Sequence, residues 1–285
     1  MAAPFDLGRS AVLCSEPMNG PPVLVRGVGD IGSAIAHRLF IEEYNVALHD
    51  DPKPTTTRRG MAFADAVFDG RAVLDGVRAM RFDDLLQVRR AAAARAAIPV
   101  CVRPLAAVLA VLQPWAVVDA RMHKHSQPDI HLGLAAFTVA LGPALTAGRH
   151  ADAIVETSWD DLDRVITHGA SLPLAGEPRE IGGHARDRYL YAPVDGVFQT
   201  ALRIGDTVRK GQEVARVGAM VLSAPLDGVL RGLTHDAVPV TEGTKVIEID
   251  PRGQAAAARG IAERPRRIAD GVLAAIKASP MASTI

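Results

Sequence analysis

Residues 27–32, Gly-Val-Gly-Asp-Ile-Gly, set three glycines at GxGxxG spacing between an apolar run, Val23–Val25, and a helical stretch. Directly after a strand and at a helix start, the first glycine permits a tight turn. The second lets backbone approach a phosphate, and the third lets helix and strand pack closely. Gly27, Gly29, Asp30, Ile31 and Gly32 are therefore candidates for holding a pyrophosphate at the positive end of the helix. Asp50 ends the next apolar run, about 20 residues on, where an acid would bond a ribose hydroxyl. The alternative is a strand-to-helix turn that needs glycine for geometry alone. Arg58 and Arg59 follow three threonines just beyond the second run and are placed to grip a phosphate or carboxylate bidentately; a solvated helix start is the other reading. Asp50 favours a free 2′-hydroxyl and the arginines a 2′-phosphate, so NAD and NADP both stay open.

The densest polar run, VVDARMHKHSQPDIH, follows a later apolar strand. Asp119 and Lys124 are read as the wall opposite the glycine turn, orienting or neutralising a bound group; a plain exposed loop is the alternative. His123, His125 and His131 fit neither the helical HxxxH nor the finger spacing, so no metal is assigned to them. Gly142 and Pro143 open a glycine-containing loop whose N–H groups could face an anion, or which merely connects two strands. His150 and Glu156 offer acid–base groups, but nothing in the sequence makes them converge, and catalytic residues stay unassigned. No GxSxG elbow, HExxH helix or Walker A run is present, which leaves hydrolase and kinase readings without support.

The elements that must position these groups alternate short apolar runs with helical stretches. VLVRG, NVALHD, IPVCV, AVVDA, FTVAL and AIVET read as strands; SAIAHRLFIEE, DDLLQVRRAAAARAA and PLAAVLAVLQ read as helices. Continuous apolar strands between helices predict a Rossmann-like, doubly wound parallel sheet in an α/β domain. The expected divisions are an extension over 1–20, the nucleotide-binding domain over 21–170, a linker over 171–187, a small all-β domain over 188–252 and a helical tail over 253–285. Lys plus Arg and Asp plus Glu both number 32 in the 285 residues, so no global basic field calls for nucleic acid or a membrane surface. Cys14 and Cys101 form no CxxC pair, no signal segment is evident, and charges interrupt the most apolar region, so a cytoplasmic protein is expected. A homo-oligomer is the expected assembly.

The β region contains an internal repeat. APVDGVFQTALRIGDTVRKGQEVARV and APLDGVLRGLTHDAVPVTEGTKVIEI align without a gap, which predicts two half-units packing as one pseudo-symmetric body. From about Arg188 to Pro251 this half resembles the biotinyl/lipoyl-like barrel-sandwich hybrid domain. In carrier members the hairpin between the halves presents a lysine; here Ala219, Met220 and Val221 stand there, so no covalent biotin or lipoate is expected.

Taken together, RGVGD with AHRL, RRGMAFADAVFDG, VDARMHK, LGPALTAG, AIVET and the closing APVDGVF, GVLRGL and IDPR resemble one family from Val23 to Arg252. It is the family of selenium-dependent molybdenum hydroxylase system proteins. The resemblance implies an accessory or maturation role for a molybdenum hydroxylase, with a molybdoenzyme partner and a nucleotide or molybdopterin dinucleotide in the Rossmann-like domain. The alternative is an NAD(P)-dependent oxidoreductase acting on a small substrate.

Overall fold

The computed structural model describes residues 22–122, 129–174 and 178–280. The expected extension over 1–20, Cys14, and Lys124 with His123 and His125 lie outside the described residues.

The chain opens with β1 (Pro22–Arg26), α1 (Asp30–Ile41) and β2 (Asn45–His49). A short helix, α2 (Asp65–Asp69), precedes a hairpin of β3 (Arg71–Leu74) and β4 (Val77–Arg81). There follow α3 (Leu85–Ala94), β5 (Ile98–Cys101), α4 (Leu105–Leu112) and β6 (Ala116–Asp119). Next come β7 (Phe137–Leu141), β8 (Ala153–Val155) and β9 (Val165–Ile166). All nine strands join one sheet in the order β3-β4-β5-β2-β1-β6-β7-β8-β9. The six strands from β5 to β8 in that order run parallel and are buried along their length. Their continuous apolar composition follows from being covered on both faces.

The two edges break the parallel pattern, and local chemistry explains the first. Leu74 and Val77 are joined by Asp75-Gly76, both with positive φ (43° and 84°), the two-residue hairpin turn whose twist matches the strands. Crossing back in two residues forces β3 antiparallel to β4. At the far edge β9 pairs antiparallel with β8.

The second body is built from β10 (Tyr189–Tyr191), β11 (Gly196–Gln199), β12 (Thr207–Val208) and β13 (Glu213–Val217). Four more strands complete it: β14 (Met220–Ser223), β15 (Gly228–Leu233), β16 (Pro239–Val240) and β17 (Lys245–Asp250). They form two four-stranded sheets, β10-β17-β15-β12 and β14-β13-β11-β16. The repeat governs their pairing. Gly196 opposes Val240 and Val197 opposes Pro239; the equivalent positions, Gly228 with Val208 and Val229 with Thr207, oppose each other in the same way. Each half thus lends a strand to the other's sheet, around one core that includes Phe198, Leu230 and Ile247.

The chain then returns to the first sheet. α5 (Glu263–Lys277) lays Ile268, Val272 and Ile276 into the same core as Ile35 and Leu39 of α1. The expectation of a doubly wound parallel sheet followed by a small all-β barrel-sandwich domain is therefore corrected. The sheet is mixed, with antiparallel strands at both edges. Among the described residues no helix connects β6 to β7 or β7 to β8, and α5, from beyond the β body, supplies the missing cover. The β body is also not merely appended: Gly60 and Gly232 allow it to close on the loop after β2, where a Cβ on Gly60 would lie 2.6 Å from the Ala258 carbonyl oxygen. The Leu233 N–H donates to the Thr57 carbonyl at 2.7 Å. No helix among the described residues is long and apolar enough to cross a membrane.

Candidate functional site

The carboxyl ends of β1, β6 and β7 meet at one edge of the sheet, where strand-terminal side chains are held by the ladder and project toward the connecting loops. Arg26 ends β1 and Asp119 ends β6, paired in register, and the Arg26 guanidinium donates to Asp119 Oδ2 at 3.1 Å. The loop leaving β6 folds back so that His131 Nε2 lies 3.2 Å from the same oxygen. Arg121 donates through its backbone N–H and Nε to Asp119 and spans to Asp129 through a terminal nitrogen. Asp119, Asp129 and His131 each offer one donor atom, all within 4.8 Å of one another. Together with Arg121, Gly142 and Pro143 they line a small cleft that is partly open to solvent.

Burial drives the electrostatics of this cluster. It pushes the Asp119 carboxyl upward, but the Arg121 hydrogen bonds and charge more than compensate and hold it below the usual carboxylate range. Burial lowers His131, against the pull of Asp119, so the imidazole is neutral at pH 7. Arg26 is 8% exposed and its Nε has no partner.

None of the other candidate residues lines this cleft. Gly27 takes a φ of +108° with the end of β6 pressed against it, and a Cβ on Gly32 would sit 2.0 Å from the Gly27 carbonyl oxygen. Gly32 is therefore required for helix–strand contact, whereas Gly29 meets only Thr56 Oγ1 at 3.8 Å. Ile31 is buried in the core of the first sheet. Asp50 accepts from the Val28 N–H at 2.7 Å and from the Asp51 N–H, and burial raises its carboxyl. Arg58 bonds Asp30 and the carboxylate of Glu248; Arg59 bonds Asp65 and the Leu233 carbonyl. His150 and Glu156 do not meet. His150 accepts from the Thr146 N–H, while Glu156 accepts from the backbone of Thr157, Ser158 and Leu172 and shapes that turn.

The structure thus brings Asp119, Gly142 and Pro143 to one cleft and the glycine turn, Asp30, Asp50 and Arg58 to another place; Lys124 lies outside the described residues. Arg26, Arg121, Asp129 and His131 were not singled out as site residues. A usable signal was present: a strand-terminal Asp119 followed by Asp129-Ile-His131, two donors at alternate positions of one loop.

No model of a known protein family matches the chain. It is 37% identical over 265 residues to the Uncharacterized protein YqeB of Escherichia coli K12, covering 92% of this chain and 48% of that protein. The chain therefore spans about half the length of the curated relative it matches. Among solved structures it is similar to the product-bound ectoine utilization protein EutE (DoeB) of Ruegeria pomeroyi, with a TM-score of 0.25 at 14% identity over 81% of this chain and 85% of that one. A succinylglutamate desuccinylase from Silicibacter sp. TM1040 gives a TM-score of 0.26 at 13% identity, covering 81% and 84%. An aspartoacylase family protein of Mesorhizobium loti gives 0.24 at 12%, covering 81% and 85%. Likenesses at these scores transfer neither fold nor activity.

The expected membership of the selenium-dependent molybdenum hydroxylase system family is corrected: no family model matches the chain, and the curated relative it matches is an uncharacterized protein. The molybdenum hydroxylase maturation role and the NAD(P)-dependent oxidoreductase go with it. The nucleotide ligand, molybdopterin dinucleotide or NAD(P), is corrected too: Asp50 and Arg58 are engaged by the protein itself, and the cleft is lined by metal-type donors.

Proposed function

We propose that this protein is a divalent-metal-dependent enzyme acting on a small anionic substrate, with the cation held by Asp119, Asp129 and His131. The observation that carries this reading is the convergence of three donor atoms within 4.8 Å at the wall of a solvent-open cleft. The donors suit a cation chemically, because His131 is neutral and Asp119 ionised, the forms that coordinate. One imidazole with two carboxylates favours zinc or a similar transition ion over magnesium. A bound divalent cation would supply polarisation of a carbonyl or phosphoryl oxygen and activation of water, the chemistry of sites that keep a position open beside three protein ligands.

The remaining residues have distinct tasks. Arg121 bridges Asp119 and Asp129, so cation uptake must turn its guanidinium out toward the cleft, where it meets an anionic group of the substrate. Arg26 stays on Asp119 and fixes the orientation of that carboxylate.

Titration calorimetry with Zn²⁺ tests the reading. One equivalent should bind, and His131→Ala should weaken binding by about 100-fold. Absence of saturable binding, or unchanged binding in His131→Ala, overturns it. Zinc-loaded protein is then the form to screen for hydrolysis of small carboxylate and phosphate esters and amides.

A further inference from the structure

The cleft at the end of β6 already holds a cation of the protein's own. Arg121 Nε donates to Asp119 Oδ2 at 3.0 Å, and Arg121 Nη2 donates both to that oxygen and to Asp129 Oδ2. Nη2 therefore lies between the two carboxylates that, with His131, offer donor atoms within 4.8 Å of one another. A divalent cation bound by both acids needs the same position, so guanidinium and cation exclude each other. Arg26 does not compete in this way. It ends β1, donates to Asp119 at 3.1 Å and does not line the cleft.

Charge decides what must accompany the exchange. Among the described residues of the cluster, Asp119 and Asp129 face Arg26 and Arg121, so the two signs balance as they stand. With a dication between the acids and Arg121 turned out, positive charge is in excess, even when Asp50, whose field reaches Arg26, is counted. An excess of one sign in a partly desolvated cleft calls for a counter-ion. Once off its acids, the Arg121 guanidinium presents a planar fork of donors, the shape that a carboxylate accepts bidentately. Met122, Leu141, Pro143 and Leu145 also line the cleft, so the space beside that fork is small and largely apolar. Met122, directly after Arg121, takes a φ of +53°, which few residues with a Cβ adopt. Backbone held in such a conformation clusters at ligand-binding turns.

We infer, resting on the cation reading above, that the cleft takes a short-chain aliphatic carboxylate together with the cation, each tightening the other, and that Arg121 couples the two. Without ligands Arg121 is the counter-ion of both acids. Cation uptake turns it toward the cleft and creates the carboxylate site; carboxylate binding holds it there and keeps the cation site open. The aliphatic arm lies against Met122 and Leu145. Such coupling is reciprocal, so the factor by which the carboxylate tightens the cation equals the factor by which the cation tightens the carboxylate.

The test is titration calorimetry of Zn²⁺ into the full chain with and without propionate, chloride keeping the ionic strength constant. Propionate should tighten zinc binding by about tenfold or more, and zinc should tighten propionate binding by the same factor. In chloride, Arg121→Gln should bind zinc about tenfold more tightly than wild type, because the turned-out state no longer has to be populated first, and the propionate effect should vanish. An arginine that only supports the fold predicts unchanged or weaker zinc binding in that variant. Arg121→Lys, which keeps the charge without the fork, should also lose most of the propionate effect. Circular dichroism confirms that each variant is folded, and either one suffices. Met122→Asn, a residue that tolerates positive φ, should bring the propionate effect down to that of formate. Zinc binding that is unaffected by propionate, or no tighter in Arg121→Gln than in wild type, overturns this inference and leaves the cation reading standing. Absence of zinc binding in both proteins overturns the two together.

Discussion

The two charged clusters, one around Asp119 and one around Glu248, use the same side-chain types for opposite ends. Around Asp119 the carboxylates and an imidazole outline an open cleft, and one arginine bridges two acids. Around Glu248 a single buried carboxylate gathers four cations and ties the β body to the first sheet. In the first, the bonds of Arg121 can be exchanged for a ligand because Asp129 and the cleft are reached by water. In the second, removing the central charge strands its partners in low dielectric. Burial decides whether such a cluster can let go of its own partners.

Substitution at Glu248 should break that comparison most forcefully. Glu248→Ala is expected to cost about 3–5 kcal/mol in urea unfolding, because buried guanidiniums lose their counter-ion; a loss below about 1 kcal/mol would mean that the cluster is not a lock. A packing contrast comes next. Gly32→Ala pushes a Cβ into the Gly27 carbonyl and should destabilise by about 1–3 kcal/mol, while Gly29→Ala should stay within about 0.5 kcal/mol. Equal costs would remove the distinction between a packing glycine and a permissive one.

The pH profile sharpens the comparison further. Burial lowers His131 below its ordinary value of 6.5, so its contribution to stability is present above 6.5 and is lost as pH falls below it toward the depressed value. Wild type should therefore lose on the order of 1 kcal/mol more than His131→Asn between pH 7.5 and about 5, read from urea midpoints. For Glu248, burial raises the carboxyl but Arg58 and Lys245 hold it well below 4.5, so its contribution fades only as pH drops beneath 4.5. Two separate acid limbs are expected, one for each cluster. The smallest effect on stability falls at Asp129, which is 48% exposed in its side chain. Asp129→Asn should change unfolding by less than about 0.5 kcal/mol and still weaken zinc binding by about 10- to 100-fold. A large stability loss there would move Asp129 from the ligand set to the fold.

Local signals were legible where one segment carried its own explanation. The buried strands follow from continuous apolar runs, and the repeat of APVDGV as APLDGV predicts a pseudo-symmetric body, though not the exchange of strands that pairs β11 with β16 and β12 with β15. The β3–β4 hairpin was equally legible in Leu74-Asp75-Gly76-Val77, a turn signal that the helix–strand rhythm obscured. The parallel, doubly wound expectation failed at the edges because pairing direction depends on turn chemistry and partner availability rather than on hydrophobicity. The glycine motif was over-read: its spacing serves tight packing at Gly32, and the acid expected to meet a ribose caps the turn itself. The Asp119 cleft was half-read, since Gly142, Pro143 and Asp119 were named without Asp129 and His131 beside them.

By itself, then, the sequence determined the six buried strands of the first sheet, the repeat and the strand-end placement of Asp119, because each depends on residues close to one another along the chain. The tertiary structure alone decided that Glu248 would face Arg58 across 190 positions, that α5 would cover the first sheet, and that Asp119, Asp129 and His131 would share one cleft. Those pairings are set by which desolvated charges and apolar faces find a partner after the chain collapses. That is a property of the packed whole, which no short window of sequence contains.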